Sequence, residues 1–286
     1  MRKAFILSVL LCLVFESKAF QKRSKKDYLI TISTNYGEMK AILFEDTPLH
    51  RENFLSLVEK GFYDSLLFHR VINEFMIQGG NPGSRKSRSA AENDESLMNY
   101  RIDAEFRSNH FHQKGALAAA RMGDRVNPEK KSSSSQFYIV QGKQVSAEEL
   151  AIQKRNHMRM ITQWSSANPE HALVIEMKKA YDQGGDAAVG EFIQQNILQF
   201  EEATNSIFDF PAERKLLYAE LGGTPHLDGQ YTVFGQVVSG LEVIDQIASV
   251  ETSSRDKPQE DVVMLVTAEK MRKKKITKLY GYVYED

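Results

Sequence analysis

The sequence has one cysteine, Cys12, and no long apolar run that would carry a membrane helix. Cys12 sits in the apolar stretch "AFILSVLLCLVF", between a basic start, "MRK", and "ESKAF". That stretch is too short to span a bilayer. Ser17-Lys18-Ala19 puts small residues at the minus-three and minus-one positions of a cleavage after Ala19, so residues 1–19 are expected to be a signal peptide. The chain is then exported, to a periplasmic or extracellular place, and its mature form has no membrane span. Loss of Cys12 with the leader excludes disulfides, a thiol nucleophile and cysteine–metal sites. Charge of one sign is also missing: the formal net charge is −1, which argues against nucleic acid or an anionic membrane as the main partner. Internal repeats are absent. The one low-complexity tract, "KKSSSS" at 130–135, reads as a flexible loop tip. No βαβ rhythm runs through the chain, which speaks against a parallel sheet.

Present instead are many short strand patterns. Residues 20–27 form a basic, flexible arm. "YLITIST" and "EMKAILF" then alternate apolar and polar residues around the turn "NYGE". Thr47-Pro48 reads as an N-cap and first helical position, Phe54, Leu57 and Val58 as the buried stripe, and Gly61 as the stop. A long polar loop follows Gly80. "KGALAAAR", "SSQFYIV" and "YTVFGQVV" are strand-like, "GLEVIDQIASV" is a helix with Leu241, Ile244, Ile247 and Ala248 inward, and "DVVMLVTAEKM" is a last strand. Its basic end, "RKKK" at 272–275, reads as solvated. The pattern predicts a mainly β fold with an antiparallel, closed sheet.

Residues 144–210 differ in kind. Ser146 to Glu149 is a capping box, followed by Leu150, His157, Ile161 and Trp164 at helical spacing. Asn168-Pro169 starts a second helix with Leu173, Met177 and Ala180 on one side. Gly184-Gly185-Asp186 breaks it, and Val189, Ile193, Ile197 and Phe200 form a third stripe. The expected organisation is a β unit at 28–143 and 211–286, interrupted by a helical insertion. The insertion either packs on itself and the sheet or offers an arm to a protein partner.

"FHRVINEFMIQGG", residues 68–80, sets an arginine and a glutamine into an apolar strand pair. Met76 and Gln78 share a face, because side chains two apart on a strand point the same way. An odd-numbered connection through Asn73 puts Arg70 across from Met76 on that face, whereas a two-residue turn puts it on the other. His69 reads as structural. His110-x-His112 could be a metal pair on a strand, but no third ligand suggests itself.

Four blocks in order resemble the cyclophilins, a family of peptidyl-prolyl cis–trans isomerases: "FHRVINEFMIQGGNP", "KGALAAA", "SSQFYI" and "PHLDGQYTVFGQVVSGLEVID". The resemblance implies an eight-stranded antiparallel barrel with two capping helices and a substrate on its outer face. It implies isomerisation of Xaa-Pro bonds in unfolded or partly folded exported proteins, with no cofactor or metal. By position Arg70 takes the catalytic role, and Phe75, Met76, Tyr138 and Leu227 the walls of a proline pocket. Gln78, Ala120, Arg121 and Gln136 take the groove that holds the peptide backbone. His226 stands where the family often has tryptophan, Tyr231 where it often has histidine, and Arg121 replaces a common asparagine. Weak inhibition by cyclosporin is therefore expected. Two other classes stay open: a non-catalytic peptide-binding chaperone that uses the same groove, and a scaffold that docks a partner through the insertion.

Overall fold

The computed structural model describes residues 24–85, 100–204 and 212–284. Ten strands and seven helices follow in this order: β1 (Lys26–Thr34), β2 (Gly37–Leu43), α1 (Pro48–Glu59), β3 (Arg70–Ile72), β4 (Met76–Gly79), β5 (Arg101–Ile102), β6 (Ala116–Ala119), β7 (Ser132–Ser133) and β8 (Phe137–Val140), then α2 (Ala147–Ala167), α3 (Ala172–Gln195), α4 (Ile197–Thr204), α5 (Ala212–Glu220), β9 (Val233–Ser239), α6 (Leu241–Ala248), β10 (Met264–Arg272) and α7 (Lys273–Tyr280). The expected signal peptide lies outside the described residues. The basic arm ends earlier than expected, because Lys26 and Asp27 already pair with Arg272 and Met271 in the sheet.

Eight strands form one antiparallel sheet in the order β10-β1-β2-β9-β6-β8-β4-β3. The sheet is a row with β10 and β3 at its ends. Just ahead of β3, Leu67 forms an isolated antiparallel bridge with Val263, and the Phe68 amide donates to the Val262 carbonyl at 2.9 Å. One sheet face holds the main core, in which Ile77, Leu117, Phe137, Ile139 and Phe234 pack with Phe54 and Leu57 of α1 and Ile244 and Ile247 of α6. On α6 the inward set includes Val243, while Leu241 is only half-buried. The other face of the same strands carries a second cluster, with Met76, Ala116, Ala118, Tyr138, Val140 and Val233 buried. Strand alternation thus divides β4, β6 and β8 between two apolar layers.

Helix α1 starts at Pro48 as expected, but Thr47 gives its first turn no side-chain cap. The buried Glu105 carboxylate does so instead, accepting from the Leu49 amide at 3.1 Å and the His50 amide at 3.0 Å. It also takes His50 Nδ1 at 2.7 Å, and His50 Nε2 lies 2.9 Å from Ser132 Oγ. The serine run is accordingly no flexible tip. Ser132, Ser134 and Ser135 are buried, β7 pairs with β5, and Asn53 donates to the Ser134 carbonyl at 2.6 Å. Small hydroxyl side chains fit such a place because each brings its own hydrogen-bonding group into a tight space.

Between β8 and β9 come α2 to α5. The capping box forms, with Ser146 Oγ accepting from the Glu149 amide at 3.1 Å and Glu149 from the Ser146 amide at 2.9 Å. Asn168 does not start a helix: it closes α2, donating to the Trp164 carbonyl at 2.8 Å, and His171 caps α3. Gly185 breaks α3 at φ 63° and ψ −151°, a backbone that glycine alone adopts readily. The third stripe is divided at Asn196, so Ile197 and Phe200 belong to α4. These helices bury their own core of Ile161, Leu173, Ile193 and Phe200. Helix α5 was not foreseen; it buries Arg214 and Tyr218 and leaves Leu216 exposed, so no apolar stripe marks it. The basic 272–275 segment likewise opens helix α7, whose Ile276 is buried against Leu29 and Ile42. Entry and exit of the helical segment meet, since Gly223 donates to the Lys143 carbonyl at 2.9 Å. A Cβ on Gly142 would fall 2.4 Å from Gly223, so the two chains approach too closely for any other residue there.

Candidate active site

The β3–β4 connection is three residues, Asn73 to Phe75, with Glu74 in the left-handed region at φ 59°. The odd count brings Arg70 to the face of Met76 and Gln78. Its direct cross-strand partner is Gln78, while Met76 faces Ile72. Gln141 and Gly142 hold the connection, each donating its amide to the Phe75 carbonyl at 3.0 Å.

This face lies over the second apolar cluster. A cavity of about 150 Å³ opens there, lined by Arg70, Phe75, Met76, Gln78, Ala120, Arg121, Tyr138, Leu227 and Tyr231. Its size suits one small side chain rather than a ligand of ~300–1,000 Å³. Met76 and Tyr138 are buried, and Phe75, Leu227 and Tyr231 pack against them half-exposed. His226 is exposed at the rim, stacked on Phe75 with ring centroids 5.8 Å apart. Gln136 lies one step further, accepting from Gln78 Nε2 at 3.1 Å, and lines an adjoining cavity of about 470 Å³ with Tyr100, Arg101 and Ser133. All eleven expected residues therefore fall in one neighbourhood.

Their polar groups are not equally available. Both backbone groups of Ala120 are engaged: its amide donates to the Gln136 carbonyl at 3.0 Å and its carbonyl accepts from Ser133 at 2.8 Å. Ala120 thus offers its methyl group. The Arg121 side chain is also committed, with Nε donating to the Gln230 carbonyl at 2.7 Å, Nη1 pairing with Asp124 at 2.6 Å, and Cζ 4.5 Å over the Tyr231 ring. It holds Tyr231 from behind. Arg70 differs. Its Nε meets Asp256 at 3.2 Å, both side chains stay about two-fifths exposed, and the terminal amino groups are the donors left for a ligand.

Asp256 was not foreseen, because 186 residues separate it from Arg70 and nothing local marks it. Neither was the use of His112. The two histidines of His110-x-His112 go to different partners: His110 stacks on Phe44 and meets Asp46 at 2.6 Å, whereas His112 meets Asp228 and Tyr138. Among the described residues no three His, Cys, Asp or Glu side chains are grouped as a metal site.

The family model for cyclophilin-type peptidyl-prolyl cis–trans isomerases matches residues 29–158 and 217–269, leaving out most of the helical segment. A Streptococcus pyogenes protein named for phosphatase and peptidyl-prolyl cis–trans isomerase activities is 33% identical over 238 residues, 82% of this chain and 37% of that one. The chain therefore spans little more than a third of that relative. A Staphylococcus aureus protein named as a peptidyl-prolyl cis–trans isomerase is 31% identical over 236 residues, 82% of this chain and 88% of that one. Among solved structures, a Cryptosporidium parvum cyclophilin-type isomerase aligns over 84% of this chain and 98% of its own, at 18% identity and a TM-score of 0.48. The family match covers well over half of the residues, and with it the chain belongs to the cyclophilin-type peptidyl-prolyl cis–trans isomerase family.

Proposed function

We propose that the chain isomerises Xaa-Pro bonds of exported proteins in the Arg70 cavity, by stabilising the twisted bond without a covalent intermediate. The observation that carries this reading is an exposed guanidinium at the edge of a small apolar cavity walled by Phe75, Met76, Tyr138 and Leu227. A peptide bond resists rotation by about 18–20 kcal/mol, because the nitrogen lone pair is delocalised into the carbonyl. A donor aimed at the prolyl nitrogen favours its pyramidal, localised form. The apolar walls fix the ring while the rest of the peptide turns, and the Gln78 and Gln136 amides, joined to each other at 3.1 Å, offer polar groups to the peptide backbone. Uncatalysed exchange takes roughly 10–100 s. Reaching about a millisecond needs roughly 10⁵-fold, on the order of 7 kcal/mol. Charge placed in advance together with pre-orientation supplies effects of that size.

The same reading takes the sheet as a barrel closed through the 65–68 and 262–264 segments, its outer face turned to the client. It leaves the helical segment as a place for a protein partner. The test is prolyl exchange of a short Ala-Pro-Phe type peptide, followed by protease-free NMR, with wild type and Arg70→Ala side by side. Clear exchange by wild type and a loss of about a hundredfold or more in the variant is expected, a size typical of removing one transition-state donor. Equal exchange by both would reject Arg70. Binding without exchange by either would make the cavity a peptide-holding site.

A further inference from the structure

Tyr138 is a cavity wall whose polar atom is turned away from the cavity. Its hydroxyl lies 2.9 Å from His112 Nε2, and the two rings stack at 15° with centroids 6.0 Å apart. His112 Nδ1 lies 2.9 Å from Asp228 Oδ1, which also accepts the His112 backbone amide at 2.9 Å. Asp228 Oδ2 accepts from the Tyr218 hydroxyl at 2.7 Å, with Arg214 Nη1 at 3.8 Å. Tyr138, His112, Asp228 and Tyr218 are each at most 5% exposed.

The chemistry of the groups orders this row. A carboxylate only accepts, so Nδ1 of His112 carries the hydrogen. In that tautomer Nε2 is the acceptor that meets the Tyr138 hydroxyl. Arg214 supplies the positive charge near the buried carboxylate and lies 4.5 Å over the Phe111 ring. A buried polar row of this kind is specific only when every member is satisfied, and here each link meets the next.

Two walls hang on the row. With its hydroxyl anchored, the Tyr138 side chain cannot swing to another rotamer without breaking a buried hydrogen bond, so the ring keeps its place as a cavity wall, with Tyr231 edge-on at 5.8 Å. Asp228 also closes the short turn Pro225–Leu227, its amide donating to the Pro225 carbonyl at 3.2 Å, and that turn carries Leu227. Tyr218 and Arg214 belong to α5, which lines no part of the cavity.

We infer that His112, Asp228 and Tyr218 are positioning residues for the isomerase site: they hold Tyr138 and Leu227 in the shape that receives the proline ring, and they make α5 part of the site's support. The inference rests on the reading of the cavity as the proline subsite. A wall fixed in advance lowers the ordering cost of binding, so its loss shows in affinity more than in the rate of the bound peptide.

The experiment uses the full chain with Tyr218→Phe, Tyr138→Phe and the double variant. It measures the Kd of an Ala-Pro peptide by NMR titration, the exchange rate at saturation, and the 15N signals of the His112 imidazole. Each single variant is expected to weaken peptide binding by roughly three- to tenfold, as for one lost buried hydrogen bond; for Tyr218→Phe, which lies outside the cavity, saturated exchange should stay within about twofold of wild type. The double variant should bind no worse than the weaker single, because both act through one row. Wild-type His112 should show the tautomer with hydrogen on Nδ1. Variants that melt earlier yet keep Kd and the imidazole signals would make the row mere packing and overturn the inference. Should Tyr218→Phe fail to fold, Tyr138→Phe with its Kd and imidazole signals decides alone. A wild type that binds without exchange would remove the Arg70 mechanism, while the Kd series still judges the row. A wild type that does not bind the peptide would overturn both.

Discussion

Arg70 meets Asp256 where the two side chains keep 43% and 41% of their exposure, so the pair is worth little as stabilisation. Its use is orientation: with Nε held, the terminal amino groups keep one direction. Asp256 sits at φ 57°, a conformation that asparagine also tolerates, so Asp256→Asn removes charge without straining the backbone. That change should slow prolyl exchange by no more than about fivefold, the range of an exposed ion pair, against about a hundredfold for Arg70→Ala. An Asp256→Asn protein as inert as Arg70→Ala would mean that the carboxylate itself takes part.

At the scale of elements, α1 depends on a residue far from it in sequence. Glu105 receives the Leu49 and His50 amides and the His50 ring, so its two oxygens satisfy donors that the helix cannot satisfy internally. Replacing Glu105 by Gln turns one acceptor into a donor facing N–H groups. The loss expected is roughly 2 kcal/mol, as for a buried hydrogen bond to a charged group, read from urea unfolding. A change below about 0.5 kcal/mol would show that water or another group caps the helix as well. The α2–α4 segment is a second element of this kind, because its core around Phe200 is separate from that of the sheet. Phe200→Ala should cost about 3–5 kcal/mol locally. Hydrogen exchange should then rise within α2–α4, while sheet amides stay protected and prolyl exchange is kept. Loss of protection in β4 and β8 at the same time would join the two cores into one cooperative unit.

For the whole molecule, acid should be more harmful than the small net charge suggests. Burial pushes His50 below the ordinary histidine value, against the pull of Glu105, and burial does the same to His69. A histidine with a lowered folded pKa binds protons better in the unfolded chain. Its contribution is intact above the unfolded value of about 6.5 and is lost as pH falls from there through the folded value. The melting temperature should therefore fall over the acid interval below about pH 6.5. His50→Asn should be less stable at neutral pH but show a shallower fall over that interval, checked by thermal melts across pH. An unchanged slope would assign the acid sensitivity to carboxylates instead.

What the sequence by itself determined are the patterns whose period is local. Alternation in "YLITIST" and "EMKAILF" made strands with opposite faces, Pro48 and Gly61 bracketed α1, and Gly184-Gly185 broke α3 because backbone freedom there is a property of the residues themselves. The four blocks carried the family, and the eleven expected site residues do gather on one face. Only the tertiary structure decided which groups were already engaged. Arg70 reached its face through a three-residue connection, Arg121 was spent on Tyr231, and the serine run was buried by α1. Asp256, Glu105 and Asp228 meet partners 186, 55 and 116 residues away. A carboxylate satisfied at such distance leaves no periodic trace in the chain, since its partner is chosen by the approach of strands rather than by spacing along one of them.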